Sequence, residues 1–258
     1  MPVRDDQAVE KLYADFWHRQ DALPGIFGLG LGLAGVRGYW PTSAFDGSGN
    51  MSDMSGQNRE LTNDGYPEYA YVNLAPYVLL DGNDNFSRAD EPGLSITGTE
   101  AYVDVGYRGL TMGCWVYFDN AIGATETLMA KWDTAVAANK SYRLVRLATG
   151  GATFQIYNAG IGAVTCTGCF TTAQQWYFIA SRFTPSEELA IFVNGVWSTA
   201  ATAIASITDT GEDFTLGCTS NLAEYMTGRL SNLWLCAMAL PDERIESKYE
   251  WERTLYGV

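Results

Sequence analysis

The sequence is nearly without histidine: one, His18, stands in 258 residues. A Ser-His-Asp or Cys-His nucleophile would have to use that single imidazole. A zinc site drawing two histidines from one chain is ruled out. His18 falls in a charged helical pattern and reads as a solvated helix residue. Cysteine is scarce and odd in number, five in all: Cys114, Cys166, Cys169, Cys218 and Cys236. That is not a disulfide framework. Basic residues are outnumbered, 16 Lys and Arg against 30 Asp and Glu, for a formal net charge of −14. Nucleic-acid and anionic-lipid binding both need clustered Lys and Arg, so neither is an expected partner. A basic, apolar leader is not seen at the N-terminus, where Arg4, Asp5, Asp6, Glu10 and Lys11 mix their charges. The expectation is cytoplasmic synthesis without export, followed by assembly on a virion or similar particle surface.

What is present is apolar and aromatic. Apolar residues make up 47 % of the chain and aromatic ones 13 %, enough for a substantial core. Residues 5–20, "DDQAVEKLYADFWHRQ", place Val9, Leu12, Tyr13, Phe16 and Trp17 on one face of a helix. Asp5 or Asp6 supplies its N-cap, and Pro24-Gly25 ends it. An aromatic face this rich must bury against its own domain or another chain. The next stretch, "GIFGLGLGLAGVRGYW" (25–40), contains a literal G-x-G-x-x-G. A dinucleotide loop follows a strand and opens a helix; here a helix precedes it and "RGYWP" follows. The 15 uncharged residues from Ala22 to Val36 fall short of the roughly 20 a membrane-spanning helix needs. The alternation sets Gly28, Gly30 and Gly32 on one side of an extended connector, with Leu29, Leu31 and Leu33 on the other. Residues 1–37 therefore read as an arm, whose Val9, Leu12, Tyr13, Phe16, Trp17, Leu29, Leu31 and Leu33 form an assembly interface in a homo-oligomer.

From Gly38 onward, short apolar runs alternate with Gly, Asn, Asp and Ser, the texture of a sandwich or barrel. In "LAIFVNG" (189–195), Leu189, Ile191 and Val193 alternate with Ala190 and Phe192. Asn194-Gly195 then predicts a type I′ hairpin turn, because both residues tolerate positive φ. "LPDERIESKYEWERTLYGV" predicts a short closing helix with Ile245, Tyr249, Trp251 and Leu255 on one side.

These segments, in order, resemble the laminin-G-like jelly roll of the concanavalin A-like lectin/glucanase superfamily. The landmarks are "GYWP" (38–41), "DGSGNMSDMSGQNREL" (46–61), "LDGNDNFSRAD" (80–90) and "LTMGCWVYF" (110–118). They continue with "LMAKWD" (128–133), "SYRLV" (141–145), "WYFIASRF" (176–183), "LAIFVNG", "FTLG" (214–217), "GRLSNLWL" (228–235) and "ALPDERI" (239–245). The resemblance covers residues 38–258 and implies an all-β fold. Two antiparallel sheets pack as a jelly-roll sandwich, with the N-terminal helical arm and a short C-terminal helix added. Members mostly bind glycans, proteins or cell surfaces, and some hydrolyse glycans.

The resemblance also frames the candidate sites. Hydrolytic relatives set two or three carboxylates along one strand; no strand here does so, and only Glu126 and Asp133 remain as isolated candidates. No enzymatic activity is expected. A cation in the family often bridges the opening loop to a closing-strand Asp. Here the loop offers Asp46, Asn50 and Asp53, and the closing strand offers Ser231 with Asn232 beside it. Calcium is thus the one cofactor to consider, on Asp46, Asn50, Asp53 and Asn232. Asp81, Asn83 and Asp84 form a second oxygen-rich turn. Trp115, Trp176 and Trp234 match core positions of the fold. Trp40, Trp132, Trp197 and Tyr225 are left as candidates for ligand stacking. Cys166-Thr167-Gly168-Cys169 reads as a turn, with a local disulfide or a metal clip as alternatives. The expected function is non-catalytic: a lectin-like domain displayed on a phage virion, of decoration or tail type. Its arm would dock to other virion subunits and its jelly roll to a glycan on a host or cell surface. A stand-alone glycan-binding module is the alternative, with a glycoside hydrolase of the same fold behind it.

Overall fold

The structure is a computed structural model that describes residues 35–73, 75–100, 105–120, 123–170 and 172–258. The arm helix, the Gly/Leu connector and their eight interface residues lie outside the described residues.

The described strands run in chain order as β1 (Val36–Trp40), β2 (Thr62–Asp64), β3 (Glu68–Val72), β4 (Ala75–Asp81) and β5 (Asn85–Arg88). Next come β6 (Leu110–Phe118), β7 (Glu126–Trp132), β8 (Lys140–Arg146), β9 (Ala152–Tyr157) and β10 (Ile161–Cys166). The last are β11 (Trp176–Thr184), β12 (Glu188–Val193), β13 (Val196–Ala201), β14 (Phe214–Leu216) and β15 (Thr227–Cys236), followed by helix α1 (Asp242–Tyr256). They form two antiparallel sheets. The eight-stranded sheet is ordered β13-β12-β11-β6-β15-β4-β3, with β1 also paired to β15. The seven-stranded sheet is ordered β10-β9-β8-β7-β14-β5-β2. This is the expected jelly-roll sandwich.

Strand alternation explains how the layers meet. On β6, Leu110, Met112, Cys114, Val116 and Phe118 point between the sheets and join the main core, together with Tyr142, Leu144, Phe154 and Ile156 from β8 and β9. The other β6 face carries Trp115 and Tyr117. Trp115 joins Trp176, Phe178, Phe192 and Trp234 in a second apolar layer, outside the sandwich and under α1. The three tryptophans read as core residues are therefore buried, but in this outer layer and not between the sheets. Gly113 makes room for it: the Trp234 indole lies 2.6 Å from where a Gly113 Cβ would stand.

Helix α1 buries Ile245, Tyr249, Glu252 and Tyr256, a stripe at helical spacing. The Trp115 indole N–H donates to Glu252 Oε2 at 2.7 Å, and the Tyr256 ring stacks on Trp115 at 4.0 Å. Trp251, expected on the packed side, is 55 % exposed. The stripe passes through Glu252 instead, because a buried indole N–H needs an acceptor. The Asn194-Gly195 turn has φ of 42° and 92°, as type I′ requires, and Asn194 Oδ1 accepts the Phe178 N–H at 2.7 Å.

Among the described residues, Lys131 and Arg146 are cations buried within the sandwich. Lys131 Nζ donates to Asp90 Oδ1 at 2.8 Å, to Glu212 O at 2.8 Å and to Thr210 O. Its three donors are matched by three acceptors. Burial works against ionisation of Asp90, but Lys131 and Ser95 outweigh it and hold the carboxyl below its ordinary value. Arg146 pairs with Glu126 Oε2 at 2.8 Å and lies 4.6 Å over the Phe118 ring.

Candidate functional site

The expected stacking residues are not brought together. Trp40 is fully buried, its indole N–H donating to Arg59 O at 2.7 Å and its ring stacked on Phe214 at 5.3 Å. It is a core residue, and the expectation of an exposed ring is corrected. Trp132 is 1 % exposed, sealed by Arg143 at 4.8 Å and Lys140 at 5.5 Å over its ring; it cannot stack a ligand directly. Trp197 is half-buried beside α1. Its indole N–H donates to Glu246 Oε1 at 2.9 Å, and Arg182 lies 5.1 Å over the ring, so it helps hold the helix. Tyr225 is half-buried in the 217–226 loop, with burial, Cys218 and Asp64 raising its phenol.

The residues expected to share a cation are each engaged by protein groups. Asp46 accepts N–H groups from Ser48 at 2.8 Å and Asn50 at 2.9 Å, and the Asn50 side-chain amide at 3.0 Å. These bonds, led by the Asn50 N–H, lower its carboxyl. Asp53 accepts N–H groups from Tyr39, Ser55 and Arg59 at 2.8–3.0 Å, and the Ser55 hydroxyl. Both aspartates tie their own loop, as turn aspartates do. Asn232 sits in a bulge of β15, at φ 48°, with its amide toward Glu252. Among the described residues no three His, Cys, Asp or Glu side chains are placed to share a metal.

The two isolated carboxylates hold structure. Glu126 is bound to Arg146 and accepts the Thr227 N–H at 3.3 Å; burial raises it, and Arg146 pulls it back. Asp133 accepts the Ala135 and Val136 N–H groups at 2.6 and 3.3 Å.

A different constellation lies on the outer face of the seven-stranded sheet. Register places Ala130, Arg143, Gln155 and Ala163 side by side across β7, β8, β9 and β10. They alternate with inward-pointing Met129, Leu144, Phe154 and Val164. Arg143 is the hub. Its Nε donates to Gln155 Oε1 at 2.7 Å and its Nη1 to Glu224 Oε2 at 2.7 Å. Thr127 Oγ1 donates to the same Glu224 oxygen at 3.2 Å. Burial lowers the Arg143 guanidinium, and Glu224 offsets this. Stacked on Trp132 and forked between Gln155 and Glu224, its plane is fixed in advance of any ligand. Tyr157, edge-on to Trp132 at 6.5 Å, and Thr165 extend the row. The 217–226 loop crosses the sheet beside it, pinned by Ser220 N–H to Trp132 O at 3.0 Å and Thr127 N–H to Glu224 O at 2.9 Å.

One aromatic that the sequence reading missed is prominent. Tyr66 is 94 % exposed on the turn after β2, held by its N–H to Asp84 Oδ1 at 2.8 Å. Gly65, at φ 96°, presses against Asp84. The signal was "DGYP" (64–67): a tight turn presenting a ring between Gly and Pro. Arg143 gave no such signal, because its partner Glu224 lies 81 residues further along the chain.

Residues 94–246 match the Laminin_G_3 family model, described as the Concanavalin A-like lectin/glucanases superfamily. The chain belongs to this superfamily. Solved structures with the same fold include the receptor-binding domain of a botulinum neurotoxin of mosaic serotype C/D. It is 11 % identical with a TM-score of 0.63, over 85 % of this chain and 51 % of that one. The binding domain of Paraclostridial Mosquitocidal Protein 1 is 11 % identical with a TM-score of 0.65, over 87 % and 55 %. A botulinum neurotoxin DC binding domain, solved in complex with rat synaptotagmin II, has a TM-score of 0.63. The chain spans about half the length of these structures. No curated protein matches it. Among the described residues no helix is long and apolar enough to cross a membrane.

Proposed function

We propose that this chain is a non-catalytic recognition domain that binds a glycan across the outer face of its seven-stranded sheet. The observation that carries the reading is the ordered Arg143–Gln155–Glu224 network on that face. Planar amide, carboxylate and guanidinium groups, fixed side by side, suit the vicinal hydroxyls of a sugar, which both donate and accept. A non-catalytic role is supported by the engagement of Glu126 with Arg146 and of Asp133 with its own turn. The solved binding domains of like fold, from toxins that engage receptors, support recognition in the same sense. The finer context we propose is display on a phage virion, with residues 1–37 docking to other subunits or to further copies. Its support is the aromatic helical pattern of residues 5–20.

The test is a glycan array probed with the full chain, with and without calcium. The expected result is a defined set of bound glycans, on which Arg143→Ala and Gln155→Ala each bind at least tenfold more weakly while melting as the parent does within a few degrees. No bound glycan at high protein concentration overturns the reading. Full binding by Arg143→Ala overturns its location.

A further inference from the structure

At the margin of the aromatic layer under α1, register runs one row across the outer face of the eight-stranded sheet. It passes from Glu68 on β3 through Leu79 on β4, Arg229 on β15 and Tyr117 on β6 to Trp176 on β11. The half-buried Arg229 guanidinium lies 4.0 Å from the Tyr117 ring centre and 5.1 Å from that of Tyr77. Trp176 backs both tyrosines, at 5.6 and 5.7 Å, and packs in turn on Tyr256 at 5.0 Å. The guanidinium is thus held in an aromatic frame. What the row lacks is an acceptor. Arg143, Arg146 and Arg182 each pair with a carboxylate. Among the described residues none pairs with Arg229, in a chain of 30 acidic residues against 16 basic ones. Glu68 stands two strands away across Leu79, and Asp81 accepts the Asn83 N–H at 2.8 Å instead. Arg229 Nε and the Trp176 indole N–H are both covered without an acceptor. The Arg229 Nη groups and the phenols of Tyr77 and Tyr117 stay open, and none of them bonds a described group. A half-buried charge without an anion is costly, and a planar fork open at its end matches a carboxylate.

We propose that Arg229 anchors a second site, on the other sheet from the Arg143 network and independent of it, which binds a sugar bearing a carboxylate, of the uronic-acid type. The carboxylate takes the open Nη fork. The sugar hydroxyls take the phenols of Tyr77 and Tyr117, which both donate and accept. The row holds no second cation, so it suits a single negative charge. A phosphate dianion would meet the net charge of −14 with one guanidinium to offset it.

The experiment titrates the native full chain with glucuronic acid, glucose, acetate and inorganic phosphate, and follows the arginine Nε–H signals by NMR. The covered Arg229 Nε–H is shielded from exchange, and its signal is assigned by its absence from Arg229→Lys. The expected result is a saturable shift of that signal with glucuronic acid, at least tenfold tighter than with glucose, acetate or phosphate. Tyr77→Phe with Tyr117→Phe keeps both rings on the guanidinium. This double variant should melt as the parent does, bind glucuronic acid at least fivefold more weakly and leave the weak acetate response unchanged. No saturable shift of the Arg229 signal at millimolar glucuronic acid overturns the proposal, and so does a shift confined to the Arg143 signal. Acetate or phosphate as tight as glucuronic acid overturns the sugar acid as the ligand, and so does full binding by the double variant. Because the readout is the Arg229 signal itself, failure of this site and failure of the Arg143 site are seen separately.

Discussion

The two sheets present opposite outer faces. The eight-stranded sheet carries Trp115, Trp176, Phe178, Phe192 and Trp234 outward and covers them with α1. The seven-stranded sheet carries Arg143, Gln155, Tyr157 and Thr165 outward, and among the described residues the 217–226 loop crosses beside them. Among the described residues, one face is a second core and the other is a surface. The polar groups show the same division. Under the helix, Glu252 is 8 % exposed and accepts the Trp115 indole N–H; on the open face, Glu224 and Gln155 fix a guanidinium at the surface. The lesson is that one architecture spends hydrogen bonds on stability on one side and on preorganisation on the other.

The largest effect should come from opening the closed face. Trp115→Ala removes a fully buried indole, strips Glu252 of a donor and leaves the Tyr256 ring without its stacking partner. A loss of about 3–5 kcal/mol is expected, the usual range for a buried Trp truncated to Ala. It should be seen as a lower urea midpoint with α1 detached. A loss under about 1 kcal/mol would mean that the helix does not depend on this layer. Arg143→Ala is the converse on the open face: a tenfold loss of glycan affinity, which is about 1.4 kcal/mol, with a small change in melting. If Arg143→Ala instead unfolded the chain, the contrast between the faces would fail.

A smaller, pH-dependent effect belongs to the join between the layers. Asp90 has a lower pKa in the folded chain than its ordinary value, because Lys131 and Ser95 outweigh its burial. The pair therefore adds stability above the unfolded carboxyl's pKa, near 3.9. That contribution is lost as pH falls through the folded value. Asp90→Asn should lower stability at neutral pH and flatten the acid limb of the unfolding curve measured between about pH 5 and 2. An acid limb as steep as the parent's would show that Asp90 does not titrate with folding.

Much of the sandwich was legible in the sequence. "LAIFVNG" carried strand, turn and register in seven residues, because Asn-Gly dictates its own backbone. What could not be read was which face of a strand looks inward. On β6, Met112, Cys114 and Val116 face one way and Trp115 and Tyr117 the other, and both sets are apolar. Alternation predicts a strand buried on both faces, but only the partner of Trp115, Glu252, lies 137 residues away to say what covers it. The stacking candidates went astray for the same reason. Trp40 and Trp132 stand at strand ends, where exposure is the ordinary expectation. Arg59 O takes the Trp40 indole N–H and Arg143 roofs Trp132, and neither contact is local.

The smallest expected effect tests this point on α1. By sequence spacing Trp251 belongs with Tyr249 and Leu255, yet it is 55 % exposed, while Tyr256 is 4 % exposed with its hydroxyl 2.6 Å from Ser231 Oγ. Trp251→Ser removes no packed surface and should change stability by no more than about 0.5 kcal/mol. Tyr256→Phe keeps the ring on Trp115 but leaves Ser231 short of one partner, and should cost about 1 kcal/mol. Unfolding both variants beside the parent ranks the two sides of the helix. A larger loss from Trp251→Ser than from Tyr256→Phe would mean that the side of α1 away from the sheet is also covered in solution.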